Sequence, residues 1–298
     1  MINKLFTISI FFLVINIIQP AALEIDAVFR IENMDYKNDR LVTENTFSGN
    51  DLFWGLSLSA RQNLSDNILL KSGFYNDAIL RNTFSSLLTY NHQYFSIGVG
   101  PFFGIFNDTA AILKSGISTN LRLELPGIIY ILFNSDNSIG GQLSDSGDYI
   151  QERSNISFGY YVRNAICSLN IDNKKFIQKK DNYEIVDSLT DYSFKADIFS
   201  KYSPYRILFS LSYQILSKGY IESDVTTRHT IKTIILGGGT ELKITEALVT
   251  MLNLEGSLFT IGSDELQGLA NPGPAGHLFR AYAGIKINFD KIRQVRSF

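Results

Sequence analysis

The chain has 298 residues, of which 45% are apolar and 19% are charged, and its formal net charge at pH 7 is −2. This length fits one large domain or two ordinary ones. A near-neutral chain without a dense basic surface argues against nucleic acid as a partner, because phosphate binding needs clustered Lys and Arg side chains.

The N-terminal segment has the pattern of a secretory signal peptide. Lys4 supplies the positive charge, residues 5–18 form an apolar run, and Gln19 to Ala22 end it with small residues. The run is shorter than the ~20 apolar residues that a membrane-spanning helix needs. We therefore predict a cleaved signal peptide over residues 1–23 and a mature chain that begins near Leu23 or Glu24.

The mature chain is predicted to be a succession of β-strands. In the first, Ile25 and Phe29 share one face while Asp26 and Arg30 share the other, and a period of two is typical of a strand with one apolar and one polar face. The alternation recurs as far as Phe289. The predicted strands are 24–35, 51–61, 67–77, 80–90, 94–106, 115–125, 128–134, 153–164, 166–177, 190–201, 205–217, 229–242, 246–259 and 277–289.

The connections between these strands alternate between short and long, as in outer-membrane barrels, where periplasmic turns are short and outside loops are longer. Short connections are predicted at 62–66, 91–93, 126–127, 164–165, 202–204 and 243–245. Long ones are predicted at 36–50, 135–152, 177–189, 218–228 and 260–276. The connection near Ala78 departs from this rule, because it is short where a long loop is expected.

The last predicted strand resembles the terminal β-signal of Gram-negative outer-membrane proteins, which ends in an aromatic residue. Its matching residues here are Tyr282, Ile285, Ile287 and Phe289. The resemblance is to the class, nearest in architecture to monomeric fourteen-stranded porins. It implies an all-β, transmembrane antiparallel up-and-down β-barrel of about 14 strands, with 12–14 plausible. This barrel would span residues 24–289 in the bacterial outer membrane, with outer-membrane lipids and the assembly machinery as partners and a short basic tail at 290–298.

The polar face of the strands is expected to line the barrel lumen. Charged side chains predicted there are Arg30, Arg61, Arg122, Glu124, Arg163, Lys195, Arg206, Lys232, Arg280 and Lys286, together with Glu24, Asp26, Glu32, Asp197 and Glu255. Basic residues slightly outnumber acidic ones, which favours a weak preference for anions, since fixed charges bias the ions that dwell in a pore. Alternatively, the charges pair across the lumen and close it.

Little in the sequence indicates enzyme chemistry. The histidines His92, His229 and His277 have no serine-histidine pattern around them, so we predict no catalytic residue and no cofactor. We also predict no metal site, because Asp136, Asp145 and Asp148 lack the spacing of a calcium loop. The single cysteine, Cys167, excludes an internal disulfide.

These patterns predict a passive, porin-like channel for small hydrophilic solutes. A barrel of about fourteen strands lies between those filled by side chains and those that leave an aqueous channel. Two alternatives remain open within the barrel class: a non-conducting surface barrel whose outer loops act in adhesion or ligand binding, and a transporter of hydrophobic substrates. A soluble periplasmic β-sandwich is a further alternative.

Overall fold

A computed structural model describes residues 23–32, 53–107, 111–139, 148–180, 183–199, 203–222, 225–266, 269–270, 273–274, 278–289 and 291. The predicted signal peptide, up to residue 22, lies outside the described residues, as does the predicted C-terminal tail apart from Lys291. The described residues include no apolar helix of the length that would span a bilayer.

The described chain forms fourteen long strands and two two-residue segments, Leu269–Ala270 and Gly273–Pro274. The strands are β1 Leu23–Glu32, β2 Phe53–Asn63, β3 Ile68–Asp77, β4 Arg81–Asn91, β5 Phe95–Asn107, β6 Ala111–Leu125, β7 Ile129–Ser138, β8 Asp148–Val162, β9 Ala165–Lys180, β10 Tyr183–Phe199, β11 Tyr205–Glu222, β12 Val225–Lys243, β13 Leu248–Leu266 and β14 Phe279–Asn288. Each corresponds to one strand predicted from the sequence.

The strands close into an antiparallel barrel. Each pairs with its neighbour in the chain, and β1 also pairs with β14, with Ile25 opposite Ile287 and Glu32 opposite Arg280. Closure leaves no open edge, so backbone N–H and C=O groups at membrane depth find partners within the barrel. The prediction of an all-β, up-and-down barrel is therefore confirmed.

Alternation along each strand separates an apolar outer face from a polar inner face. Outward side chains such as Val99 and Leu254 are 59% and 56% exposed. Inner positions are rich in small polar residues, including Ser57, Ser85, Ser118, Asn120, Ser168 and Ser212. An exposed apolar belt on a closed barrel is the surface that a bilayer covers.

The two ends of the barrel differ. At one end, which we call the turn end, lie Leu23 and Asn288, and the strands there are joined by connections 64–67, 92–94, 126–128, 163–164, 200–204 and 244–247. In the last of these, hydrogen bonds from Lys243 and Lys291 reach Glu246 and hold the pKa of its carboxyl below the ordinary value. In the turn at 126–128, Gly127 has φ +75°, which glycine adopts without strain.

We call the opposite end of the barrel the loop end. There, the strands from β8 to β13 extend much further than predicted. They have 15 to 19 residues, whereas β1 to β4 have 10 or 11. Consequently, the connections predicted at 177–189 and 218–228 shrink to 181–182 and 223–224. The alternation in the sequence did not predict this extension, because outward positions beyond the apolar belt need not be apolar. Lys175 and Lys179 on β9 are such polar outward residues.

Candidate functional site

The lumen is the candidate site, and its most prominent feature is the turn between β3 and β4. Its residues, Ala78, Ile79 and Leu80, are only 3%, 2% and 3% exposed. They bend inward from the loop end and pack against apolar side chains on the inner wall, namely Phe176 on β9, Leu189 on β10, Leu216 on β11 and Ile231 and Ile235 on β12, with Phe53 and Leu278 alongside. We call residues 78–80 the plug, since they are buried inside the lumen.

Asp77 and Arg81 frame the plug and shape its turn. Oδ1 of Asp77 accepts hydrogen bonds from the backbone N–H of Ile79 at 2.8 Å and of Leu80 at 3.0 Å. Arg81 has φ +65°, a left-handed conformation that is uncommon for a side chain of this size and costs ~1–3 kcal/mol. Such strain persists only where surrounding contacts compensate for it, which here include the burial of the plug.

Four polar contacts anchor the plug to the wall. Asp77 forms an ion pair with Lys174 on β9 and lies 3.8 Å from Nη2 of Arg30 on β1. Nη2 of Arg81 lies 3.9 Å from Oδ2 of Asp187 on β10. The amide Nε2 of Gln151 on β8 donates to the backbone O of Leu80 at 2.5 Å. The plug is thus attached to strands on several sides of the barrel.

The ion pairs continue from the plug towards β13 and β14. Glu32 lies 3.5 Å from Arg30 and 3.4 Å from Arg280, and Arg280 lies 3.3 Å from Glu255. Arg280 also donates to Oε1 of Gln214 on β11 at 2.6 Å. With the Lys174–Asp77 pair, this network joins three basic and three acidic groups and has no net charge.

Burial makes that network sensitive to the loss of any member. The Glu32 side chain is 3% exposed and that of Arg280 is 11% exposed. Removing one partner of a buried ion pair costs ~3–5 kcal/mol, because the other charge is left uncompensated. Together, the apolar plug and the paired charges occupy the lumen at this level and link strands on several sides of the barrel.

The half of the lumen nearer the turn end is more open. It contains a cavity of about 600 Å³ lined by charged groups, including Asp26, Arg206, Glu241 and Lys286, and by apolar groups such as Met251. Most charges are paired locally. Arg206 pairs with Asp197 and Glu241, Lys286 with Glu24 and Asp26, Arg61 with Glu24, and Arg122 with Glu124.

The structure places most of the predicted pore-lining charges on the inner face. These are Arg30, Arg61, Arg122, Glu124, Lys195, Arg206, Arg280 and Lys286. Arg163 instead lies in the turn between β8 and β9 and is exposed at the turn end.

Lys232 corrects the prediction, because it lies on the outer face of β12. Its side chain is exposed, while Ile231 and Thr233 on either side are buried in the lumen. The error arose because apolar residues occur on both faces here. Ile231 and Ile235 are inward because they pack against the plug, so an apolar side chain at this level does not mark the lipid face.

The predicted β-signal residues lie on both faces of the last strand. Ile285 is 46% exposed on the outside, and Ile287 shares its face. Tyr282 points inward, where its hydroxyl lies 3.3 Å from Oε2 of Glu255. Phe289 follows the end of β14 and is 36% exposed.

The sequence interpretation missed the plug and its anchors at Asp77, Gln151 and Lys174. One signal was available. The connection at 78–80 is the apolar tripeptide Ala-Ile-Leu in a position where a long, polar outside loop was expected. Apolar side chains in a turn at the loop end are more stable when they are buried than when they face water. The inner wall of the lumen is the nearest surface against which they can pack.

The residues considered for metal binding or catalysis do not assemble. Asp136 lies in the lumen, where it accepts a hydrogen bond from Ser118, while Asp145 lies outside the described residues. His92 is in a turn, accepting from the backbone N–H of Tyr94 at 3.4 Å, and His277 lies outside the described residues. Within the described part of the chain, no group of three His, Cys, Asp or Glu side chains could hold a metal ion.

No protein-family model matches the chain, and no curated protein matches it. Among solved structures, it is similar to a bacterial polysaccharide outer membrane secretin, with 11% identity, a TM-score of 0.48, and coverage of 89% of this chain and 98% of that one. It is also similar to an outer membrane channel from Pseudomonas putida F1, with 9% identity, a TM-score of 0.44, and coverage of 91% and 97%. An anion-selective porin from Comamonas acidovorans has 12% identity, a TM-score of 0.40, and coverage of 90% and 98%. These proteins are outer-membrane β-barrels, and at such identities the similarity concerns architecture alone.

Proposed function

We propose that this protein is a channel of the bacterial outer membrane that passes small hydrophilic solutes and is held closed by its own plug. The main support is the contrast between the two halves of the lumen. The half at the turn end contains the cavity of about 600 Å³, whereas closure at the other half depends on a turn of three residues and its anchors.

This contrast favours a channel over a barrel that serves only as a scaffold. A scaffold gains stability by filling its interior with side chains along its whole length, as small barrels do. Here, small serines and asparagines on the inner wall leave room for water. Among the described residues, closure is concentrated in the turn at 78–80, which lies beyond the last β3–β4 pair, Asp77 with Arg81, and could move without opening the strand pairing of the barrel.

The exposed apolar belt supports outer-membrane lipids as the surroundings of the barrel, with the turn end in the periplasm. The outward Ile285 and the terminal Phe289 are available at this end for the assembly machinery. These assignments are part of the same proposal, and they extend to export of the chain with a cleaved signal peptide.

One specific observation favours a non-conducting surface barrel instead. The ion pairs described around the plug join three basic and three acidic groups, a balance expected for a permanently sealed lumen. In that case the plug is a structural part of the barrel core, and its removal would destabilise the fold without opening a path.

Liposome swelling with a small sugar separates these two functions. We would compare the refolded wild type, residues 24–298, with the double variant Ile79→Ser/Leu80→Ser, which removes the apolar contacts of the plug, and with Asp66→Asn in an exposed turn as the control. A channel predicts slow swelling for the wild type and the control and fast swelling for the double variant. A folded double variant that passes no sugar would contradict the channel and support the sealed barrel.

A further inference from the structure

Two lysines in the lumen differ from the other charged groups around them. Lys71 on β3 and Lys195 on β10 have no carboxylate within 4 Å among the described residues, whereas Arg61, Arg122, Arg206 and Lys286 in the same half of the lumen each have one. Both are inner-face residues, since Lys71 lies opposite Arg61 and Lys195 opposite Ser168.

The barrel topology places these lysines on opposite walls. In a closed barrel of fourteen strands, β3 and β10 are seven strands apart in either direction. Lys71 is three residues from the start of β3 at Ile68, and Lys195 is four residues from the end of β10 at Phe199. Both therefore lie near the turn end, on the periplasmic side of the plug.

The surroundings of Lys71 add to its positive charge. Arg61 lies directly across the strand pair, and Arg122 is close enough to interact with it electrostatically. An ammonium group that is partly withdrawn from water and close to two guanidinium groups is poorly compensated by the protein. A mobile anion in the lumen would supply the missing charge.

Lys195 is open to the lumen on the other wall, and Asp191 on the same strand interacts with it only from beyond 4 Å. Its side chain is exposed, and its neighbours across the strands are the small hydroxyl residues Ser168 and Ser210. No bulky side chain at these two positions shields the ammonium group from a passing solute.

We infer that Lys71 and Lys195 form an anion-selecting pair in the periplasmic half of the lumen. Small anions are then the favoured solute class, because fixed charges lining a pore bias which ions dwell there. This inference rests on the proposed channel function. It concerns these two lysines specifically, since each of the other basic groups named in this half has a carboxylate within 4 Å.

The test is the reversal potential across a planar bilayer in a KCl gradient, measured in the unplugged Ile79→Ser/Leu80→Ser background. We expect selectivity for chloride over potassium. Lys71→Gln and Lys195→Gln should each lower the permeability ratio by roughly two- to fivefold, as removing one nearby charge in a hydrated site predicts. Lys232→Gln removes the same charge from the outer face and should leave the ratio unchanged. The heat-dependent shift in gel mobility of folded barrels confirms that each variant is folded.

Different failures have different meanings. An unplugged channel that conducts but prefers potassium, or one whose selectivity is unaffected by both lysine substitutions, overturns the inference and leaves the channel function intact. If no variant conducts, the proposed function fails. The inference is then decided by calorimetric titration of the wild type in detergent with inorganic phosphate. Binding weakened by Lys71→Gln or by Lys195→Gln but not by Lys232→Gln supports it, and absence of binding, or binding that neither lysine substitution weakens, overturns it.

Discussion

The substitution Asp77→Asn tests how the plug is held, because it changes charge with almost no change in shape. Asparagine retains the side-chain oxygen that accepts hydrogen bonds from the backbone N–H groups of Ile79 and Leu80. It loses the negative charge that pairs with Lys174 and Arg30. The turn should therefore persist while its electrostatic attachment to the wall is lost.

The size of the effect follows from burial. The Asp77 and Lys174 side chains are 12% and 13% exposed, and removing one partner of such a pair costs ~3–5 kcal/mol. If Lys174 and Arg30 regain water when the plug leaves, this cost falls on the closed state alone. The open population then rises by roughly a hundredfold to a few thousandfold, since each 1.4 kcal/mol is a factor of ten.

Two measurements follow the plug directly. Single-channel recording should show rare openings for the wild type and for the Asp66→Asn control, and frequent openings for Asp77→Asn. In a Cys167→Ala background, a cysteine introduced by Ile79→Cys should react slowly with a maleimide and become reactive when Asp77→Asn is added. Unchanged openings together with an unreactive thiol would refute the argument, because the ion pairs would then contribute nothing to plug retention.

Three further predictions concern other parts of the barrel. Gly104→Ala should raise the frequency of channel opening, because the new methyl group would collide with the side chain of Gln151, which anchors the plug. Gly238→Ala is the control, since its methyl group meets no atom within 4 Å, and it should leave opening unchanged. Equal single-channel recordings for the two variants would contradict the anchoring role of Gln151. Leu254→Arg should destabilise the folded barrel in lipid by ~2–4 kcal/mol, because it places a charge on the apolar belt. Urea unfolding in lipid vesicles measures this free energy. A loss of stability smaller than that caused by Leu254→Met would argue against lipid contact. Glu246→Gln should lower the urea midpoint slightly at pH 7 and by less at pH 3. A carboxyl whose pKa is depressed on folding stabilises the fold above its ordinary pKa and loses that effect as pH falls through the folded value. An effect that is equal at both pH values would contradict the ion-pair explanation.

Individual residues show why some features could be read from the sequence and others could not. The strand at Ile25 and Phe29 was predictable, because a barrel strand between lipid and a polar interior must alternate, and its period is a local property. The faces of Lys232 and of the plug were not predictable in this way. They depend on Ile231 and Ile235 meeting a turn that comes from β3–β4, about 150 residues earlier in the chain, and no local pattern reports that contact.

The sequence by itself determined the all-β class and all fourteen strands, since both follow from a repeat of two and from turn chemistry within a few residues. It did not determine the alternation of short and long connections, because the connections at 181–182 and 223–224 are as short as those at the turn end. Only the tertiary structure decided what occupies the lumen. The pairing of Asp77 with Lys174 and the unpaired state of Lys71 within the described barrel depend on which walls face each other once the sheet has closed. Closure sets these distances across the interior, and they are independent of the spacing of the same residues along the chain.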